Sequence, residues 1–190
     1  AHQSVSAGAW DRMKLYLKNH TERYPVEQLQ LQLFAQEPSE FCTEPFTGDG
    51  TVSSLSRGKR YLTATAKVTY QGKTGFAVNR VLLDRADVRA TRRILQRSYY
   101  LAALQVLPAA PPWGALSGVR PTKLSTKCLM AGGSEKDAEK LLREAYFVSP
   151  ERARLCVDAS RHTVEAAKLL DADDLSAVSY THLTLPTILR

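Results

Sequence analysis

Two runs of alternating side chains, RYLTATAKVTY (60–70) and TGFAVNRVLL (74–83), flank Gln71-Gly72-Lys73. A period of two puts every second residue on one face of an extended chain, and the β-branched and aromatic content suits that geometry. A glycine-containing link between such runs predicts an antiparallel hairpin, and TVSSLS from Thr51 supplies a candidate third strand. The hairpin is basic, with Lys59, Arg60, Lys67, Lys73 and Arg80. Nucleic acid is one reading of those cations, but the aromatic interleaving needed for stacking on single strands is missing along the sequence, which favours a solvated sheet face.

The flanks of the hairpin predict an α+β arrangement, a small antiparallel sheet with amphipathic helices. Met13–Lys18 alternates and reads as a half-buried strand with Leu15 and Leu17 on one face. Pro25 opens VEQLQLQLFA, where Val26, Leu29, Leu33 and Phe34 recur at helical spacing, although Leu-x-Leu-x-Leu also fits a strand. EPSEFCTEPFTGDG, rich in proline, glycine and acid, predicts a loop. Asp84–Leu107 predicts one long helix, with Val88, Ile94, Leu95, Leu101 and Ala102 on one arc and Arg85, Arg89, Arg92, Arg93 and Arg97 on the other. Those arginines read as the solvent side of a helix packed on the sheet.

PAAPP (108–112) ends that helix, because successive prolines lack amide donors and restrict the residue before each. The expected organisation is an α+β unit over 13–107, a proline-rich joint at 108–112 and a helical unit over 113–176. Three helices are expected in the last: Thr122–Met130, one starting at Ser134 and one at Ser149. Ser134-Glu-Lys-Asp137 resembles a capping box, and Ser149-Pro150 sets a cap before a first-turn proline. Leu155, Cys156, Ala159, Ala166 and Leu170 form the expected inner stripe of the last helix, with His162 on it as a packed or capping residue.

Chemistry-bearing motifs are sparse. The chain has no P-loop, G-x-G-x-x-G, G-x-S-x-G or H-E-x-x-H. Cys42, Cys128 and Cys156 lie far apart without a C-x-x-C, which predicts reduced thiols and no metal site. The 26 Lys and Arg against 19 Asp and Glu give a formal net charge of +7, a balance that favours anionic partners without choosing among them. No apolar run approaches the roughly 18 residues of a membrane span and the start lacks a secretory pattern, so a cytoplasmic chain without membrane contact is expected.

The densest unusual chemistry is WGALSGVRPTKL (113–124). Gly114 and Gly118 allow tight turns, Trp113 offers a structural anchor, and Arg120 could grip a carboxylate while Lys123 adds a point charge. The favoured reading is structural, with Trp113 pinning the helical unit against the first unit and Pro121 starting a helix whose early residues include Lys123.

Both ends stand apart from this pattern. Residues 1–12 have no apolar period and read as a candidate non-native leader. AVSYTHLTLPTILR (177–190) is nearly uncharged, and its run VSYTHLTLPT is similar, residue for residue, to one reading frame through an adaptor used in transposase-based sequencing libraries. It is expected to be an adaptor-derived tail, which takes His182 out of consideration.

WGALSGVRPTKL, then GGSEKDAEKLL, then AYFVSPERARLCVDASRHTVEAAKLL, resembles in order and spacing the N-terminal part of bacterial oxygen-independent coproporphyrinogen III oxidase-like proteins of the radical S-adenosylmethionine type. MKLYLKNHTERYPVEQLQLQLF resembles that group more loosely. The resemblance implies that a partial TIM-type barrel follows this region in the parent protein. It also implies a Cys-x-x-x-Cys-x-x-Cys motif there, holding a 4Fe-4S cluster with S-adenosylmethionine, and a porphyrinogen substrate whose propionates are decarboxylated to vinyl groups. None of those cysteines is in this chain, so by itself it is expected to be inactive, with its own barrel as the missing partner. Arg120 and Lys123 are the candidate contacts to an anionic substrate or to the barrel. Relatives that bind or deliver haem, and a basic RNA-binding accessory module, are the alternatives.

Overall fold

The computed structural model describes residues 12–117 and 120–169. The expected leader, apart from Arg12, and the expected tail lie outside the described residues, as do Gly118, Leu170 and His182. The fold is α+β: a five-stranded sheet in the order β2-β1-β3-β4-β5 with two helices on one face, followed by a helical cluster.

Strand β1 is Met13–Lys18, with Met13 and Leu15 buried and Leu17 partly buried. Helix α1, Tyr24–Leu33, starts with Pro25 in its first turn and buries Val26 and Leu29. This resolves the Leu-x-Leu-x-Leu ambiguity in favour of helix, with Leu31 left 44% exposed between buried Leu29 and partly buried Leu33.

The segment expected to be a loop contains strand β2, Ser39–Cys42, which pairs parallel with β1 from Met13↔Ser39 to Tyr16↔Cys42. Backbone bonds and one buried amide hold it rather than an apolar pattern. Gln30 of α1 donates to the Met13 carbonyl at 2.7 Å and to Ser39 Oγ at 3.0 Å, joining helix to both strands.

Strand β3, Gly50–Arg57, runs parallel to β1 and antiparallel to β4, Tyr61–Tyr70, which pairs with β5, Lys73–Leu82. The sheet is therefore an antiparallel meander, β3 to β5, extended by two parallel strands. Gln71 and Gly72 form the hairpin turn, and their φ values of 49° and 76° match the twist of the strands they join.

Helix α2 is Val88–Ala103, shorter than the span expected from Asp84. Leu83–Arg85 forms a separate turn, and Asp87 caps the helix by accepting from the Ala90 amide at 2.6 Å. Val88, expected on the apolar arc, is 62% exposed because it precedes the stretch that meets the sheet. Leu95, Tyr99 and Ala102 are fully buried against Ala64, Ala66 and Val68. The arginine face divides: Arg92 pairs with Glu22 at 2.8 Å, Arg97 reaches the helical cluster, and Arg85, Arg89 and Arg93 are exposed.

Helix α3, Pro121–Met130, α4, Glu135–Lys140, a π turn, Leu141–Ala145, and α5, Pro150–Lys168, surround a second apolar cluster. Both expected caps are present, Ser134 with Asp137 as a reciprocal box and Ser149 accepting from Arg152. The inner stripe of α5 differs from expectation: it is Ala153, Cys156, Val157 and Ser160, while Leu155, Ala159, Ala166 and His162 are exposed. The reason is polar. Ser160 and Ser125 of α3 share a 2.6 Å hydrogen bond, and Ser160 also donates to the Thr122 carbonyl, so a small hydroxyl takes the helix contact that periodicity assigns to larger residues. His162 instead lies beside Asp158 and Glu165, at 3.7 and 3.6 Å.

His20, after β1, sits half-buried with Nε2 3.2 Å from Ser53 Oγ and 3.3 Å from the Ser53 carbonyl oxygen. Burial lowers its pKa below the ordinary 6.5, against smaller raising effects of that carbonyl and of Glu22. The native state thus holds fewer protons than the unfolded chain just below that value, and stability rises with pH across it.

Two outcomes are expected from this packing. Asp87→Ala lowers stability by about 0.5–2 kcal/mol, whereas Asp84→Ala stays within about 0.5 kcal/mol, as read from urea unfolding midpoints. The same measurement from about pH 7.5 to 5 shows stability falling as pH drops through 6.5, with a shallower slope in His20→Gln.

Candidate functional site

The turn Trp113–Ala115 after the proline-rich joint is built around Gly114. Its φ is +58°, and a Cβ there would meet the Tyr146 carbonyl oxygen at 2.2 Å and the Phe147 carbonyl carbon at 2.4 Å. Only glycine combines that conformation with such a close backbone approach. Ala115 donates to the same Tyr146 carbonyl at 2.7 Å, and Ser149 donates to the Pro112 carbonyl at 3.0 Å. The joint is thereby pinned to the segment between the π turn and α5.

Phe147, in that segment, holds φ at +58°, an uncommon conformation for a bulky residue and one that needs support from its surroundings. The support comes from α2. Tyr100 stacks on the Phe147 ring at 5.0 Å with a 26° interplanar angle, and the Arg97 guanidinium lies 4.9 Å over it. Arg97 also donates to the Glu144 carbonyl at 3.4 Å. This aromatic and cationic contact couples the two apolar clusters.

Beside it opens a cleft of about 780 Å³, within the usual range of small-molecule sites. Tyr100, Leu104, Pro111, Phe147 and Val148 make its apolar wall, and Lys136, Lys140, Arg143, Glu139 and Glu144 make its polar side. Arg143 pairs with Glu139 at 3.4 Å. Its three cations face two carboxylates. Burial raises the Tyr100 phenol pKa, so that group is neutral and able to donate. An apolar wall opposite a charged side suits an amphipathic ligand.

The residues singled out in the sequence lie elsewhere. Arg120 precedes α3 in an extended conformation and is exposed, and Lys123 is exposed in the first turn. Neither lines the cleft. Trp113 packs on the second cluster, with the Arg152 guanidinium 5.5 Å over its ring. Phe147 and Tyr100 make the contact between clusters. Sequence reasoning missed both, since a left-handed phenylalanine has no sequence signal, but Val148-Ser149-Pro150 marks a break where an unusual backbone could sit.

Cys42, Cys128 and Cys156 are free thiols on β2, α3 and α5, and burial raises the pKa of Cys156. Among the described residues no group of three His, Cys, Asp or Glu side chains is arranged to hold a metal ion. Among them, no helix is long and apolar enough to cross a membrane.

An α+β chain with a small-molecule-sized cleft between two clusters is thus what fold and geometry define. Comparison with known proteins narrows this. Over 148 residues, 76% of the chain, it is 27% identical to the oxygen-independent coproporphyrinogen-III oxidase-like protein HemZ of Bacillus subtilis (strain 168). The chain spans 28% of that relative's length. The match supports a distant relation to coproporphyrinogen oxidase-like proteins. No protein-family profile matches the chain, and no solved structure does.

Gly114→Ala is expected to destabilise the protein by roughly 1–3 kcal/mol through strain. Gly132→Ala, where φ is +86° but no atom lies within 4 Å of the added Cβ, costs less. Thermal unfolding of the two variants tests the ranking.

Proposed function

We propose that this chain is the N-terminal part of a haem-pathway protein of the coproporphyrinogen III oxidase-like, radical S-adenosylmethionine type. The observation that carries the reading is the 148-residue similarity to HemZ. The order of WGALSGVRPTKL and the two capped helices after it, the features on which the resemblance rests, adds support.

A 4Fe-4S cluster with S-adenosylmethionine would supply the radical that removes hydrogen from a substrate propionate. The residues present do not fit that group. Three thiols on three separate elements, one of them buried, are no substitute for a local Cys-x-x-x-Cys-x-x-Cys, and no step is assigned to this chain through the cluster. What its own residues offer is a helical unit and the cleft beside Phe147. Arg120 and Lys123, both exposed, are proposed as contacts to the catalytic part or to a substrate carboxylate. A cytoplasmic location and a porphyrinogen substrate belong to the same proposal.

The test is anaerobic incubation of the complete parent protein, cluster intact, with coproporphyrinogen III, a reductant and S-adenosylmethionine. Conversion of propionates to vinyl groups with release of carbon dioxide is the expected result, and this chain alone gives no turnover. An intact cluster without vinyl product overturns the oxidase reading. Haem binding under those conditions would assign the protein to haem delivery instead.

A further inference from the structure

Side chains that alternate along a strand divide between the two faces of a sheet, so register decides which of them become neighbours. α1 and α2 cover one face here, the face toward which Gly75 points at Ala102. Among the described residues no helix covers the other.

On that open face the pairs Tyr16↔Val52, Val52↔Lys67 and Lys67↔Phe76 set Tyr16, Lys67 and Phe76 in one row across β1, β3, β4 and β5. Tyr16 and Phe76 stand three interstrand spacings apart, about 14 Å, with the lysine between them. The adjoining rows bring in Lys18, Val78 and Arg80, the last with its guanidinium 4.9 Å over the Tyr61 ring. Phe76 and Val78 are 56% and 49% exposed. Among the described residues Glu40, opposite Lys14 at the far edge, is the only carboxylate at an outward strand position.

Tyr16 stands between Lys14 and Lys18 on this face of β1, and the register adds Lys67, Phe76 and Arg80 from strands distant in sequence. Their arrangement also discriminates among partners. A protein interface needs a continuous apolar centre, whereas here Lys67 stands between Phe76 and the Val52–Tyr16 pair, and the adjoining row carries Lys18, Ser54 and Thr65. A broad sheet face cannot enter a duplex groove, which takes a helix or a two-stranded ribbon. An unpaired strand offers bases for stacking and phosphates for the cations, the complement of this surface.

We propose that the open face of the sheet binds single-stranded nucleic acid, with bases stacked on Phe76 and Tyr16 and phosphates held by Lys18, Lys67 and Arg80. Fluorescence anisotropy of a labelled oligouridylate of about a dozen nucleotides, titrated with the 190-residue chain, tests it. Binding is expected at about 50 mM salt and weakens toward 200 mM. Phe76→Ala weakens it roughly five- to a hundredfold. Lys67→Ala reduces the dependence of log affinity on log salt by about 0.7. Arg89→Ala, exposed on α2 away from this face, leaves affinity unchanged.

The charge reversals Lys67→Glu and Arg80→Glu, both at exposed positions, abolish binding even if Phe76→Ala compromises folding. The proposal is overturned by absence of binding at low salt, by charge reversals without effect, or by a folded Phe76→Ala that binds as tightly as the parent. Tighter binding to a duplex, or to anionic phospholipid vesicles, overturns it as well.

Discussion

The backbone of α2 lies so close to β5 that a Cβ on Gly75 would meet the Ala102 carbonyl oxygen at 2.0 Å. Small residues facing the helix, Ala64 and Ala66 among them, permit this approach, and the space they leave is filled by Leu95 and the fully buried Tyr99. Packing of this kind is sensitive to single methyl groups because the interior is already dense. It also positions the residues just past the helix. Gln105 comes to lie against the β5 edge, donating to the Phe76 carbonyl at 2.8 Å and accepting from its amide at 3.2 Å. The core on one side of the sheet thus helps fix the position of a ring on the other.

The same helix organises the second half of the molecule. Tyr100 and Arg97, within a single turn of α2, both engage the Phe147 ring, while Gly114 packs against the backbone of the same residue. The proline-rich joint is therefore a clasp. Its carbonyls accept bonds from Gly114 and from the α5 cap, and the cleft lies between those contacts and α4. This geometry accounts for Gly114 and Trp113 in WGALSGVRPTKL without requiring Arg120 and Lys123 to meet in a site.

Local chemistry was legible in the sequence, and contacts between distant segments were not. The hairpin, the capping box at Ser134 and the cap at Ser149 each depend on residues within a few positions, so each could be read directly. Helix α2 starts at Asp87 rather than Asp84 because both carry the same side chain and only the backbone after Leu82 decides which one caps. Strand β2 was hidden in a loop-like composition because Gln30, seventeen residues from Met13, supplies what an apolar stripe would ordinarily provide. The inward side of α5 is illegible for a related reason, since a buried pair of serines takes the contact that periodicity assigns to Leu155. Arg120, Lys123 and Trp113 were easy to notice, whereas the cleft beside Phe147 is assembled from α2, the joint and α4, whose proximity no motif encodes.

Gln105 carries one more consequence. A sheet that ends in an exposed ten-residue strand invites another chain to add to its edge, the first step toward aggregation. By bonding to both backbone groups of Phe76, the glutamine amide acts as a one-residue imitation of the missing strand. The opposite edge, β2, is only four residues long. The sheet is therefore guarded at Phe76 by a side chain and at the other border by brevity, and a copy of the chain that paired with β5 through Phe76 would have to displace Gln105.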